Sequence, residues 1–556
     1  MKGCERMHLK NIINFLGLWS YPFGLSLSGL LLYFIQTMRM QEFTLNRENI
    51  TGIAIGGLIA PFFVVLSNFY DYLSKGKKDF TPNLAFKKDV TMISDSKRQA
   101  MYKKVEKSDN LLKNKPEGLI LGKQGKKFVC LPMGKEGQKD GVSAVVLGSP
   151  GSGKSVFLTN FLLNNFMQKK PTPVFCLDIK PELARKSVNI TENKNVKVVD
   201  FTDRNKAGWD VYSSINVNTR EDEKIRLFDG ISRALIISSN PKDKFFVNNG
   251  RTILKFLLLY HFNKGLGFID SITNIISKDV GEHIKEVLQD KENCPEGELV
   301  YNGLKKYDGK DSEAMQDIEL TLQEHLNIFL SSDVRYQLRD NERKACPEDI
   351  NNGISVFITL PMYLLDEYED LLRLIVYQTI STMERREENW KQPAILILDE
   401  LARLGKLENL LSFLAVNRSL GVSVLMAYQD FSQIQKIYSK DESRTLMNLS
   451  EITYVLSCKD NETTKVLSDL IGEYREEKVS HNRSALLHCS TGKESVSSDY
   501  RKIMDVSDFQ SLREKKEVIL ILYGKFFRIS QFRYYEDSTL SKRYQEVLVG
   551  NQKLEK

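Results

Sequence analysis

Ser143-Ala144-Val145-Val146-Leu147 runs straight into Gly148-Ser149-Pro150-Gly151-Ser152-Gly153-Lys154-Ser155, and this junction decides the fold. A short apolar run that ends on a glycine reads as a buried parallel strand. The eight residues after it fit the pattern G-x-x-x-x-G-K-[ST], and helical spacing follows from Val156 into Phe166. The glycines let the backbone curl so that its N–H groups and the helix N-terminus face an anion. The Lys154 ammonium reaches the outer phosphate oxygens, and the Ser155 hydroxyl takes one position on Mg²⁺. Gly148, Ser149, Pro150, Gly151, Ser152, Gly153, Lys154 and Ser155 are therefore the expected ATP-binding residues. The bland alternative is a glycine-rich turn with no ligand, which the flanking strand and helix argue against.

Working outward, comparable runs occur at Val174–Leu177, Val196–Val199, Ser355–Leu360, Ala394–Leu398, Val422–Ala427, Tyr454–Ser457 and Val518–Tyr523, giving a sheet of about eight strands. Helical patterns separate them, which is the alternation of an open α/β sheet with helices on both faces. The interval 221–351 is too long for one crossover and carries helical runs such as Asp270–Asp290 and Ser312–Ser331, so it is expected to be an inserted all-α domain between 141–220 and 352–556.

The strand Ala394–Leu398 leads directly into Asp399-Glu400. An acidic pair at a strand end is weak evidence alone, but beside the phosphate loop it reads as a second nucleotide motif: Asp399 holds Mg²⁺ and Glu400 orients and deprotonates the attacking water. Gln429, at the end of the Val422–Ala427 run, is placed to sense the γ-phosphate or the attacking water. Arg418, just before that run, fits either an arginine finger serving a neighbouring subunit or a solvated surface arginine.

At the N-terminal end, residues 12–35 and 50–70 are nearly uncharged stretches of about the 20 residues a spanning helix needs. Pro22 and Pro61 are tolerated in such helices. Lys2, Arg6 and Lys10 precede the first stretch, and Lys75, Lys77, Lys78, Lys87 and Lys88 follow the second, so both chain ends are expected in the cytoplasm. Residues 75–140 are polar and lysine-rich and read as a connector with small strands at Leu119–Leu121 and Phe128–Leu131.

A chain of 556 residues implies several folding units. With 42% hydrophobic and 27% charged residues it is neither wholly disordered nor a polytopic membrane protein. The net charge of +7 permits an acidic polymer as partner without establishing one. Seven scattered cysteines with no Cys-x-x-Cys spacing argue against a disulfide framework and a zinc ribbon. His481, His488 and Cys489 lack the spacing of a metal site and read as a polar loop.

Several of these segments resemble one family. GSPGSGKS, the Asp178-Ile179-Lys180-Pro181-Glu182 strand end, Gly208-Trp209-Asp210, the block Leu398 to Gln429 (LDELARLGKLENLLSFLAVNRSLGVSVLMAYQ) and Ser468 to Tyr474, behind two leading spans, look like the type IV coupling proteins. These are the TraG/TraD-like ATPases of bacterial conjugation and type IV secretion. The resemblance implies a RecA-like P-loop domain interrupted by an all-α domain, anchored by two transmembrane helices in the bacterial inner membrane. It implies a homohexamer that uses ATP and Mg²⁺ to thread relaxase-bound single-stranded DNA toward a secretion channel, in contact with relaxosome proteins and channel components. It places Lys154 and Ser155 on nucleotide and metal, Asp399 and Glu400 in the roles above, and Arg418 and Gln429 at the finger and sensor positions. No acidic tail is evident before Lys556, so docking through such a tail is not part of the expectation. Other readings are a related RecA-like membrane motor for chromosome or protein substrates, whose usual four spans or winged-helix tail are not seen, and a nucleotide-binding membrane scaffold without turnover, against which Lys154 and Glu400 speak.

Overall fold

The computed structural model describes residues 104–106, 109–133, 140–190, 193–216, 218–237, 244–309, 312–387, 392–481, 494–522 and 524–552. The two apolar stretches at 12–35 and 50–70 lie outside these. Among the described residues no helix is long and apolar enough to cross a membrane.

The chain falls into two compact units. The larger, Lys97–Glu473 with Lys502–Lys556, contains the sheet, the all-α insertion and the phosphate loop. In the smaller, Met1–Ser96 with Tyr474–Arg501, the described residues belong to two paired nine-residue strands, Glu473–His481 and Glu494–Lys502. His481 therefore ends a strand, while His488 and Cys489 lie outside the described residues.

The larger unit is organised by one twelve-stranded sheet. Its parallel part runs in the order Ile452–Val455, Ser143–Leu147, Val422–Tyr428, Ala394–Leu398, Val174–Asp178, Ser355–Thr359, Val196–Asp200. Antiparallel strands extend it beyond Ile452–Val455: Glu517–Leu522, Lys525–Ser530, Leu119–Gln124, Lys127–Leu131 and Leu112–Lys113. The strands expected in the 75–140 connector are thus part of the main sheet, which exceeds the expected eight. The strand expected at Tyr454–Ser457 lies two residues earlier, because Leu456 and Ser457 already turn toward the phosphate loop: the Ser149 N–H donates to the Ser457 carbonyl at 2.8 Å.

Every residue of the central strands Ser143–Leu147, Val174–Asp178, Ser355–Thr359, Ala394–Leu398 and Val422–Tyr428 is buried. This is why they read as unbroken apolar runs: both faces of a parallel sheet are covered. Alternate side chains enter different cores. Val145, Leu147, Leu396 and Leu398 pack with the all-α insertion and helix Leu365–Glu384. Ala144, Val146, Ile395 and Ile397 pack with Phe157, Leu158 and Phe161 of the helix that follows the phosphate loop.

Among the described residues the insertion's principal helices are Glu221–Leu235, Lys244–Asn263, Phe268–Ile276, Val280–Gln289, Leu299–Lys305 and Ser312–Leu326. The expected run Asp270–Asp290 divides at Asp279, whose side chain accepts from the Glu282 N–H and begins a new helix. The two-residue strand Lys344–Ala345, within the interval read as all-α, pairs with Gly208–Trp209. The Trp209 ring is wholly buried, and its Nε1 donates to Gln378 Oε1 at 2.9 Å.

Arg373 ties the insertion to the sheet. Its guanidinium, 1% exposed, donates to the carbonyls of Ala234 at 2.7 Å and Leu404 at 3.0 Å and pairs with Glu369 and Asp370. It thereby fixes the Leu401–Leu404 turn that follows Asp399 and Glu400. A buried charge is tolerated when its donors are used in this way.

Candidate functional site: a phosphate loop facing two strand-end carboxylates

The strand Ser143–Leu147 delivers Gly148 at the carboxyl edge of the parallel sheet, and helix Lys154–Phe166 carries the chain away. Two glycines make the intervening turn. Gly151 (φ 74°) and Gly153 (φ 106°) lie in the left-handed region, where a side chain costs about 1–2 kcal/mol. The loop is pinned by the Gly148 N–H to the Tyr428 carbonyl at 3.2 Å and by the Ser149 N–H to Ser457, so both neighbouring strands hold it.

Asp399 and Glu400 sit on the adjoining edge, 6% and 4% exposed. Glu400 adopts a left-handed backbone (φ 55°, ψ 35°), an uncommon conformation for a residue with a long side chain. Its carboxylate lies 3.6 Å from Lys154 Nζ and accepts a hydrogen bond from Gln429 Nε2. Lys154, from the start of the helix after the loop, and Glu400 and Gln429, from two strand ends, thus converge. The Lys154 ammonium is buried and has no hydrogen-bond partner, and neither has the buried Ser152 hydroxyl. Unsatisfied buried donors call for a partner, and a phosphate group above the loop suits both.

Asp399 is pushed up to about 6, chiefly by burial and next by the charge of Glu400, with Lys154 and Lys180 pulling the other way. Asp178, at the end of the neighbouring strand and wholly buried, is pushed up to about 7, again mainly by burial. Its carboxylate accepts from the N–H groups of Leu183 at 2.8 Å, Ala184 at 3.1 Å and Glu182 at 3.3 Å. Those bonds shape the turn that carries Glu182. Burial pushes the Glu182 carboxyl up, but hydrogen bonds from Lys186 and from the Ser155 hydroxyl outweigh this and hold it below the usual range. Two strand-end carboxylates and a hydroxyl engaged with a third acid are oxygen donors of the kind a bivalent cation takes, but among the described residues no three acids, histidines or cysteines are gathered closely enough to hold one by themselves.

Ser155, Asp399, Glu400, Gln429 and Lys154 are therefore brought together. Arg418 is not. It is exposed on the opposite edge of the sheet, paired with Asp140 at 3.1 Å and Glu451 at 3.4 Å. The strand Val422–Tyr428 separates it from Gln429 by about 20 Å at roughly 3.3 Å per residue. Sequence reading assigned no chemical role to Asp178, Lys180 or Glu182. The signal was an acid at the end of an apolar strand, and it gains meaning only once that strand is seen to pair with Ala394–Leu398.

The sequence matches the family described as "Type IV secretory system Conjugative DNA transfer" over residues 92–556. It is 22% identical over 382 residues to the type IV secretion system-coupling protein VirD4 of Bartonella quintana (strain Toulouse), covering 63% of this chain and 57% of that one. It is 23% identical over 171 residues to the conjugal transfer protein TraG of Agrobacterium fabrum (strain C58 / ATCC 33970), covering 30% and 26%. The chain thus spans little more than half the length of the VirD4 relative. Among solved structures, the bacterial conjugative coupling protein TrwBdeltaN70 in its unbound monoclinic form superposes with a TM-score of 0.55 at 17% identity, covering 79% of this chain and 92% of that one. TrwB in complex with ADP and Mg²⁺ superposes with a TM-score of 0.52 at 17% identity and the same coverage. The α/β architecture with its helical insertion is therefore shared with TrwB, and the match across residues 92–556 establishes that this chain belongs to the type IV secretory system conjugative DNA transfer family.

Proposed function

We propose that the chain is a membrane-anchored coupling ATPase that binds ATP with Mg²⁺ and moves single-stranded DNA, bound to a relaxase, toward a type IV secretion channel. The convergence of Lys154, Glu400 and Gln429 carries this reading. Loop amides and Lys154 would hold the phosphates, and Ser155 and Asp399 would hold the metal, which when bound would supply positive charge against the phosphate oxygens. Glu400 accepts the proton of the attacking water, and the Gln429 amide orients the carboxylate and reports the state of the site to the strand behind it. Arg418 stands far from its own site, which supports action in trans as the finger of a neighbouring subunit in a hexameric ring. The apolar stretches 12–35 and 50–70 support anchoring in the inner membrane with both termini and the ATPase domain in the cytoplasm. Relaxosome proteins and channel components are the partners that family membership brings to this reading.

The test is ATP hydrolysis by the complete chain with and without single-stranded DNA. Stimulation by DNA that disappears in Lys154→Ala is the expected result. Hydrolysis that ignores DNA, or that survives Lys154→Ala, would overturn the assignment.

A further inference from the structure

The C-terminal segment Val506–Gln531 is built into the phosphate loop, although it lies more than 350 residues beyond it in sequence. Gln531 Nε2 donates to the Ser152 carbonyl at 3.3 Å, and its backbone N–H donates to the Lys516 carbonyl at 2.8 Å. The Ser457 carbonyl that pins Ser149 belongs to a residue whose hydroxyl reaches the Gln510 carbonyl at 3.5 Å. Helix Val506–Lys515 therefore ends against the loop, and its last turn presents Arg513 there. A side-chain carbon built on Gly151 would meet the two Arg513 terminal nitrogens at 3.5 and 3.6 Å, so the guanidinium faces bare loop backbone. Arg513 is exposed, and among the described residues it has no carboxylate partner.

We infer that Arg513 is a second, cis-acting phosphate contact of the bound nucleotide, supplementing Lys154; this rests on the nucleotide reading of the loop given above. A cation beside amide donors that already face one anion adds to the same attraction, and a planar guanidinium can donate to two phosphate oxygens together. Arg513 would then couple nucleotide occupancy to the C-terminal segment, since the same helix end and Gln531 contact the loop.

The experiment is equilibrium binding of ADP with Mg²⁺ to the complete chain, comparing the parent with Arg513→Ala, Arg513→Lys, Arg513→Gln, Lys515→Ala and Lys154→Ala. The expected result is about tenfold weaker binding in Arg513→Ala and Arg513→Gln. Arg513→Lys should be intermediate, Lys515→Ala should match the parent, and the thermal transitions of the unliganded variants should be unchanged. Arg513→Ala and Arg513→Gln within twofold of the parent, while Lys154→Ala loses binding, would overturn the inference and leave the loop assignment standing. Equal weakening by Lys515→Ala would overturn it too, as a general charge effect. A parent chain that binds no ADP would remove both.

Discussion

Replacing Glu400 by glutamine separates the two tasks assigned to that carboxylate. Glu400 holds the Lys154 ammonium at 3.6 Å. The gross attraction between unit charges at that distance is about 5 kcal/mol at an effective dielectric constant of 20. Desolvation of both groups offsets most of it, so about 1–2 kcal/mol remains in competition with a phosphate for the same ammonium. Glu400→Gln releases that competition, keeps the side-chain volume and the left-handed backbone, and removes a negative charge from the neighbourhood of the γ-phosphate. Nucleotide should therefore bind about five- to thirtyfold more tightly. Turnover should move the other way, falling about 10²–10⁴-fold with the loss of the general base. Asp399 supplies an internal check, because the Glu400 charge is the second cause of its raised value. In the variant, the pH at which Mg²⁺-dependent nucleotide binding fails should shift downward. Calorimetric titration with a non-hydrolysable ATP analogue, run beside steady-state phosphate release, reads both quantities. Turnover within tenfold of the parent, or binding weakened in step with turnover, would refute this division of labour.

Further expectations follow from the same geometry. In the parent chain, Mg²⁺·nucleotide affinity should be flat above about pH 7 and should fall about tenfold per unit below about pH 6, as Asp399 takes up a proton; titrations from pH 5 to 8 read this. Asp178 has its value raised from 3.8 to about 7, so between those limits the folded chain keeps a proton that the unfolded chain has released, and stability is lost as pH rises through that window. Asp178→Asn keeps an acceptor for the Leu183 and Ala184 N–H groups and should flatten this slope, which amounts to roughly a few kcal/mol in denaturant titrations at pH 4.5 and 7.5. Arg418→Ala should leave nucleotide affinity unchanged and lower turnover of the assembled ring by about 10³-fold, with mixed rings of parent and Arg418→Ala subunits intermediate. Trp209→Ala empties a wholly buried site and takes the Nε1 donor from Gln378 Oε1, and should destabilise the larger unit by about 3–5 kcal/mol in chemical denaturation.

The strand-end edge that carries Lys154, Asp399 and Glu400 was largely legible in the sequence because each contribution is local. A buried parallel strand needs an apolar run, a phosphate loop needs glycines at fixed offsets, and the carboxylates stand where their strand stops. Ser143–Leu147 and Ala394–Leu398 occur with the expected boundaries. What could not be read depended on which strands become neighbours. Asp178 becomes part of the site through the pairing of Val174–Asp178 with Ala394–Leu398, and Arg513 and Gln531 through the return of the C-terminal strands to Ile452–Val455. The strand Lys525–Ser530 escaped notice because its alternation is half polar: Arg528 is paired with Glu517 across the strands, and this pairing replaces the apolar face that a central strand would show. Arg373 was hidden for the opposite reason. In sequence it is an ordinary helical arginine, and only the meeting of the Ala234 and Leu404 carbonyls makes it a buried tie between the insertion and the site.

The central claim is that the phosphate loop and the two strand-end carboxylates form one Mg²⁺·ATP site. Calorimetric titration of the complete chain with the non-hydrolysable analogue, with and without Mg²⁺, tests it most directly. The account predicts one site per chain, binding lost in Lys154→Ala, and loss of the Mg²⁺ contribution alone in Asp399→Asn. Undiminished binding in Lys154→Ala, or an Asp399→Asn variant that still gains the full benefit of Mg²⁺, would contradict it.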